Sequence, residues 1–380
     1  MNPLSLLELL GGVGPNGGVG PSGGVGPSGG VGPSAAALWA NATAGASELG
    51  SVCLVRTQGY LTQGLEDPEA PPPGPGFAVA PWLYYGAGPR TQSLLLETLG
   101  GLRVRADAGS ETALLEQLGE GPAGLAWRPL LSLRRPPQDY FIAQARLVDD
   151  LLPLRQIRLA EIHAQASNAL GFLLSVAQMP WHRMPRTLEF LDTALAVLMA
   201  VQMRIKQTLA CPRPHQIRPS LMPMIDAPSH GSLPSGHAGE SHLVAALLAH
   251  LMARAQRPRL QAQMLHRMAL RIAENRVVAG VHYPVDSLAG RLLGEGIARF
   301  LLASVGELAS APDLLRFGYR PFGAAALAQP TEDLAPAASA ECDSVAADAA
   351  APPLPPLHDL RRLWALVLDE WPVDTEAAAA

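Results

Sequence analysis

Three short stretches hold residue types that could do chemistry together, and all of them fall within the 81 residues from Lys206 to Asp286. The first is Lys206-Gln-Thr-Leu-Ala-Cys-Pro-Arg213-Pro214. Lys206 and Arg213 are seven residues apart, two helical turns, so both project to one side as the helix runs out at Pro212. No acid lies between Asp192 and Asp226, whereas Arg204, Lys206, Arg213 and Arg218 do, a run of positive charge suited to a phosphate-like anion. The second stretch, Pro234-Ser235-Gly236-His237, leads into an apolar helix. A hydroxyl, a glycine amide and an imidazole at a helix start form an anion site, because the first-turn N–H groups are unpaired and the dipole adds positive potential. His237 would stand beside that anion, where it could protonate a leaving oxygen. The third is Arg276-Val-Val-Ala-Gly-Val-His282-Tyr-Pro-Val-Asp286. With Pro284 opening a helix, His282 and Asp286 fall within one turn of each other. A carboxylate on one ring nitrogen fixes the tautomer and leaves the other nitrogen as a directed nucleophile. Arg276 adds a guanidinium fork for the same anion.

Each stretch alone also has a plain structural account: a solvated basic helix end, Ser235 as an ordinary N-cap, and a capped helix with an incidental ion pair. Together they describe an oxyanion pocket with an acid and a nucleophile. In this order they resemble the three-part signature of the type-2 phosphatidic acid phosphatase and vanadium haloperoxidase superfamily, over roughly residues 144–302. The run from Val281 to Gly290 is similar to sequences of the phosphatase branch, and the lead-in His230-Gly-Ser232-Leu resembles that of some haloperoxidases. One departure stands out: Asn275 occupies the place before the arginine where the superfamily usually has Ser or Gly, and altered geometry rather than lost activity is expected from it.

The resemblance implies an all-helical bundle, class all-α, with the pocket at one end. It implies that His282 attacks phosphorus to form a phosphohistidine, that Asp286 orients it, and that His237 protonates the leaving alkoxide. Lys206, Arg213, Arg276, Ser235 and the Gly236 amide would hold the equatorial oxygens, with no metal and no cofactor. In the haloperoxidases the same pocket holds vanadate, with the equivalent of His282 bound to vanadium, and peroxide oxidises a halide. The first expectation is therefore a phosphoester hydrolase acting on a phosphate-containing small molecule. The second is a vanadium haloperoxidase using halide and hydrogen peroxide, and the third a non-catalytic scaffold that keeps the fold. The Tyr283-Pro284 pair favours the phosphatase.

The elements that must position these residues follow from apolar periodicity at three- and four-residue steps: Asp149–Ala177, Pro185–Ala210, His237–Ala255, Leu260–Asn275 and Pro284 to Val305. The catalytic domain is placed at residues 140–311. Before it come a Gly-rich segment, 1–50, expected to be disordered, and a mixed segment, 51–139, of unknown role. Residues 11–34 are four copies of a six-residue Gly/Pro unit that cannot bury enough surface to offset its ordering entropy. The G-x-G-x-x-G at Gly24, Gly26 and Gly29 is a product of that repeat and follows no strand. After it, residues 312–380 are an Ala/Pro/acid-rich tail with an amphipathic helix at Leu357–Trp371, docked by Trp364 and Trp371. His215, His230 and His242 read as neighbours of the site or surface residues, and Met203, Met222 and Met224 as core filler.

Composition sets the outer limits. The 380 residues are 48% hydrophobic, enough for a large core, and the 37 Gly and 36 Pro say that part of the chain is not packed structure. Three cysteines, Cys53, Cys211 and Cys342, are too few and scattered for a disulfide framework or a cysteine-based zinc site. The net charge is −5, and ten acids against two arginines from Pro330 onward leave about +3 on the rest, far too little for a dedicated nucleic-acid binder. Of the 28 basic residues only Lys206 is lysine. The N-terminus lacks a basic region, and the longest apolar runs, Thr193–Met203 and Ala169–Ala177, fall short of the roughly 20 residues of a membrane span. A soluble, cytoplasmic protein without a transmembrane segment is expected.

Overall fold

The computed structural model describes residues 86–308 apart from 110, 122 and 123, the strands 314–317 and 342–345, and residues 357–372. The Gly/Pro repeat expected to be flexible, and most of the acidic tail, lie outside the described residues. The described chain opens with helix α1 (Ala87–Gly100) and an antiparallel meander, β1 (Leu102–Asp107), β2 (Thr112–Gly121) and β3 (Gly124–Arg134). Helices α2 (Gln138–Asp150), α3 (Arg155–Val176), α4 (Pro185–Leu209), the single turn α5 (Pro214–Ile217), α6 (Gly236–Arg254), α7 (Arg259–Val278) and α8 (Pro284–Ser304) follow. Strands β4 (Leu314–Phe317) and β5 (Cys342–Val345) and helix α9 (His358–Asp369) complete it. Helix dominates, in keeping with the all-α expectation.

The long helical run expected from Asp149 is interrupted. Pro153 sits in a 3-10 turn at Leu152–Leu154, where it supplies no amide to the ladder, and separates α2 from α3. The sheet is the addition that periodicity did not disclose. In the β2–β3 pair Ala113 faces Leu133 and Leu115 faces Leu131, and all four are buried. This apolar face lies against α4 and α8. β4 joins β3 in parallel and β5 joins β4 antiparallel, giving the order β1-β2-β3-β4-β5.

Helix α6 is the axis of the bundle. From Gly236 to Ala245 every residue is buried, the pattern of a helix surrounded by others, here α3, α4, α7 and α8. The closest approach is to α8, where Gly294 lies against the Gly239 carbonyl. A methyl group at 294 would be driven into that carbonyl oxygen, so one of the two backbones would have to move. Gly294→Ala should therefore lower the melting temperature by about 5 °C or more, the effect of an overpacked core. Gly100→Ala, whose added methyl meets nothing within 4 Å, should shift it by less than about 1 °C. Thermal unfolding followed by circular dichroism checks both.

The C-terminal helix is fastened at both ends. Glu370 accepts the backbone amides of Arg186 and Thr187, each at 2.8 Å, and so caps α4 from the far end of the chain. Glu97 of α1 does the same for α9 through Asp359 and Leu360, each at 3.1 Å. Trp364 packs on Phe190 and donates to Glu307, and the Trp371 indole donates to Thr187, so both tryptophans dock the helix as expected. Among the described residues no helix is long and apolar enough to cross a membrane.

Candidate active site

All three stretches converge at one end of the bundle, and their polar side chains are inside it. Lys206, Arg213, Ser235, His237, Arg276, His282 and Asp286 are each no more than 2% exposed. Lys206 sits one turn from the end of α4, which stops at Ala210 in a left-handed cap. Arg213 precedes Pro214 at the start of α5, where the Gln216 side chain accepts the Arg213 amide. Ser235 occupies the N-cap position of α6, and Arg276 the last turn of α7. Gly280, at φ 77°, takes the backbone through the turn to His282. Arg155 pins that turn to the neighbouring loop by donating to the carbonyls of Val278, Leu221 and Met222.

Pro284 opens α8, and Asp286 closes its first turn. The Asp286 Oδ2 accepts the Tyr283 amide at 2.9 Å and lies 3.2 Å from the His282 Nδ1, while its Oδ1 accepts from the Ser232 hydroxyl. One carboxylate thus caps the helix and holds the imidazole. The arrangement is not an incidental surface pair, since Asp286 is fully buried.

Ser235 is not an ordinary N-cap either. It makes no side-chain capping bond, and its Oγ is buried without a partner. The Nε and Nη1 of Arg276 and the Nε2 of His237 are likewise buried and unpartnered. A buried polar group left unbonded costs roughly 1–3 kcal/mol, and more when charged. Four such groups, three of them able to donate to an anion outright and the fourth when protonated, fit a phosphate or vanadate at this point. The Gly236 amide, in the first turn of α6, has no acceptor within its own helix and adds to the set.

Lys206 and Arg213 contribute differently. Lys206 Nζ donates to the carbonyls of Gly231, Ser232 and Pro234 at 3.1, 3.2 and 2.5 Å. Arg213 donates to the carbonyls of His230 and Val281 at 3.0 and 2.7 Å. Both cations fasten the 230–234 loop, and Arg213 also ties it to the residue before His282. Their charge reaches the site while their donors build its wall. Arg204 and Arg218, grouped with them by sequence, stand apart: Arg204 bonds Gln207 on the surface, and Arg218 pairs with Asp149 at 2.7 Å. Of the histidines read as neighbours, His230 touches Arg213, whereas His242 is buried on α6 with its Nδ1 on the Ala238 carbonyl. Met222 is 72% exposed and fills no core.

The charges act on one another. Burial pulls both His282 and His237 well below the ordinary imidazole range, helped by Arg213 and Lys206 at the first and by Arg276 at the second. Both rings are therefore neutral at pH 7 in the absence of an anion. Burial lowers Arg213 and Arg276 to about 10, which leaves them charged. Burial pushes Asp286 up, against the Tyr283 amide, Lys206 and Arg213, and pulls Lys206 down, against Asp286 and Glu240. Cys211, beside them, is pushed up to about 12 by burial and stays a thiol.

Sequence reasoning missed the contribution of α3. The Ile162 carbonyl accepts Arg276 Nη2 at 2.8 Å. Backbone groups carry no signature of residue type. The Gln165 side chain in turn accepts from Asn275 Nδ2 at 2.8 Å, which accounts for an amide at the position where Ser or Gly was the expectation.

Residues 190–309 match the sequence model of the PAP2 superfamily, the superfamily that the three stretches resemble. No curated protein matches the chain.

Proposed function

We propose, starting from that superfamily match, that the site hydrolyses phosphate monoesters through a covalent intermediate on His282. At the level of the superfamily the match supports phosphatase-type or haloperoxidase-type activity. The finer reading rests on one observation: a buried Asp286–His282 dyad shares the site with a second neutral imidazole, His237, and with the unpaired donors of Arg276 and Ser235. In this reading Asp286 keeps the proton on His282 Nδ1, so the lone pair is on Nε2. That lone pair attacks phosphorus and the bond to the leaving oxygen breaks. His237 passes its proton to that oxygen, and an alcohol departs. His237, now neutral, takes a proton from water, hydroxide attacks the phosphohistidine, the P–N bond breaks and inorganic phosphate leaves. Arg276, Ser235 and the Gly236 amide meet the charge that builds on the equatorial oxygens, with Lys206 and Arg213 adding positive potential from behind the loop.

The pH dependence follows from the same charges. His282 must be unprotonated, and its depressed pKa keeps it so into the mildly acidic range. His237 is neutral before substrate arrives, so the proton it donates enters with the phosphate monoanion. The monoanion is replaced by the dianion above about pH 6. The expected profile of kcat/KM is a plateau below about pH 6 and a tenfold fall per pH unit above it. An alkaline optimum would contradict these assignments.

Vanadate fits the same donors: Arg276, Ser235 and the Gly236 amide would hold its oxygens, and His282 would ligate the vanadium. Bound vanadate would supply activation of hydrogen peroxide toward a halide. The test uses one preparation and compares p-nitrophenyl phosphate turnover in EDTA with bromide oxidation by the vanadate-loaded protein and hydrogen peroxide. Dominant phosphatase turnover is expected, with orthovanadate as an inhibitor. Dominant bromide oxidation would overturn the proposal in favour of the haloperoxidase.

A further inference from the structure

The end of the bundle away from the candidate active site has a one-sided charge of its own. Helices α3 and α7 run antiparallel: Arg155 of α3 reaches the Val278 carbonyl beside the site, and at the other end Gln261 donates to Gln178 at 3.2 Å. Two turns meet at that other end. One, through Gln178 at φ 52°, leads from α3 by way of Trp181-His182-Arg183 into α4, and the second, through Gln256 at φ 55°, joins α6 to α7. Helix α7 runs 20 residues from Arg259 to Val278 with Arg276 in its last turn, so this pole lies about 25 Å from the site.

No acid occurs in the sequence from Ile162 to Leu188 or from Ser241 to Ala273, the stretches that form the two turns and the helix ends beside them. Arg183, Arg257, Arg259 and Arg267 are exposed and make no ion pair among the described residues. The acids at this end of α4 and α8 are engaged elsewhere: Glu189 with Arg90 and Arg186, Glu307 with His250 and Arg254, and Glu370 with the first amides of α4, which leaves Asp369 exposed at the end of α9. Large apolar side chains stand at the same pole. Trp181 is 53% exposed, Leu260 64% and Met264 45%, with Leu260 and Met264 one helical turn apart. Neither feature serves the fold. Arg259 lies in the first turn of α7, where a cation opposes the helix dipole, and no acid or side-chain cap there offsets it. The exposed Trp, Leu and Met bury little against the bundle.

We propose that this pole docks on the surface of an anionic lipid bilayer, with Trp181, Leu260 and Met264 entering the headgroup region and the arginines meeting the lipid phosphates around them. The chemistry favours a bilayer over an acidic protein. Tryptophan gains at a membrane interface because its ring is apolar while its N–H stays wet, and guanidinium forks match phosphate. An acidic polypeptide would pair the arginines and leave the exposed Trp181 and Leu260 without a role. Each arginine near an anionic surface adds about fivefold to binding, and salt screens the attraction. Docked in this way the candidate active site, at the opposite pole, faces the aqueous phase, and the proposal holds whichever reaction that site performs.

The experiment floats the full chain with vesicles of phosphatidylcholine, either alone or with about one third phosphatidylserine. At low salt the parent should bind the anionic vesicles at least about tenfold more tightly than the neutral ones, and about 0.5 M sodium chloride should remove the difference. Arg257→Gln combined with Arg259→Gln should weaken binding by about tenfold or more, and Leu260→Ser by at least about threefold. These positions are exposed, so the melting temperature should move by less than about 2 °C. Brominated lipids should quench part of the tryptophan fluorescence, and Trp181→Phe should remove that part. Equal binding to both kinds of vesicle, arginine variants that bind like the parent, or quenching undiminished in Trp181→Phe would overturn the proposal. A parent that leaves vesicles unbound would overturn it as well, and binding of polyglutamate through the same arginines would then point to an acidic protein.

Discussion

His282→Ala should lower kcat for phosphate monoesters by at least about 10⁴-fold, the scale on which removing a nucleophile from a coupled site acts. The size follows from the construction of the dyad. Asp286 is fully buried and divides its oxygens among the Tyr283 amide, the Ser232 hydroxyl and His282 Nδ1, so no other side chain is oriented to replace His282 as the nucleophile. The donors proposed for the phosphate oxygens would come from other elements, Arg276 on α7 and Ser235 ahead of α6, and would survive the substitution. Ground-state binding should therefore persist: the inhibition constant of inorganic phosphate should change by less than about tenfold while turnover collapses, whereas orthovanadate, whose vanadium His282 would ligate, should bind far more weakly, a separation that marks loss of a transition-state contact. Rapid-quench work with labelled substrate should trap an acid-labile phosphoramidate on the parent protein and none on the variant. A labelled His282→Ala protein would place the nucleophile elsewhere.

His237→Ala gives a second large effect with a different signature. For an alkyl phosphate kcat/KM should fall by about 10²–10⁴-fold, the usual worth of a positioned proton donor. For p-nitrophenyl phosphate, whose anion leaves unaided, the fall should be less than about tenfold. The second half-reaction still needs a base for water. The variant should therefore release a burst of nitrophenolate equal to the enzyme present and then turn over slowly. Equal losses on both esters, with no burst, would show that His237 is structural.

Much of this site could be read before any fold was known, because its residue types cluster in three short stretches at helix ends. His282 and Asp286, four residues apart, do share a bond, whereas the two-turn spacing expected of Lys206 and Arg213 is not realised: α4 stops at Ala210, Arg213 lies beyond it in extended backbone, and the two meet on one loop through that change of direction. The same rule shows why Arg204 had no place in the cluster: two residues before Lys206, it projects to the opposite side of α4. Helix ends at Pro212 and Pro284 were legible for the same local reason. What stayed hidden depends on contacts between elements. The β1–β3 meander is rich in Leu, Gly and Arg rather than β-branched residues, so its alternation was faint, and the bulge between Leu115 and Glu116 breaks it further. The Ile162 carbonyl that holds Arg276 has no identity in a sequence. The kink of α3 at Asn168, with φ −150° and ψ 63°, lies inside a run whose apolar periodicity continues across it, so it went unread.

The single lysine of the chain has a practical meaning. Its amine is 1% exposed and spends its three protons on the carbonyls of Gly231, Ser232 and Pro234. Every other basic side chain is arginine, which amine-directed reagents ignore. A lysine-specific label therefore has one side-chain target, and can reach it only when the 231–234 loop lifts away. Burial holds that amine below its ordinary range only while the loop covers it, so the label is applied at alkaline pH, where the uncovered amine is unprotonated. The rate of tagging at residue 206 is a built-in clock for how often the loop beneath the anion opens, and a ligand that clasps the loop should slow it in proportion to its occupancy.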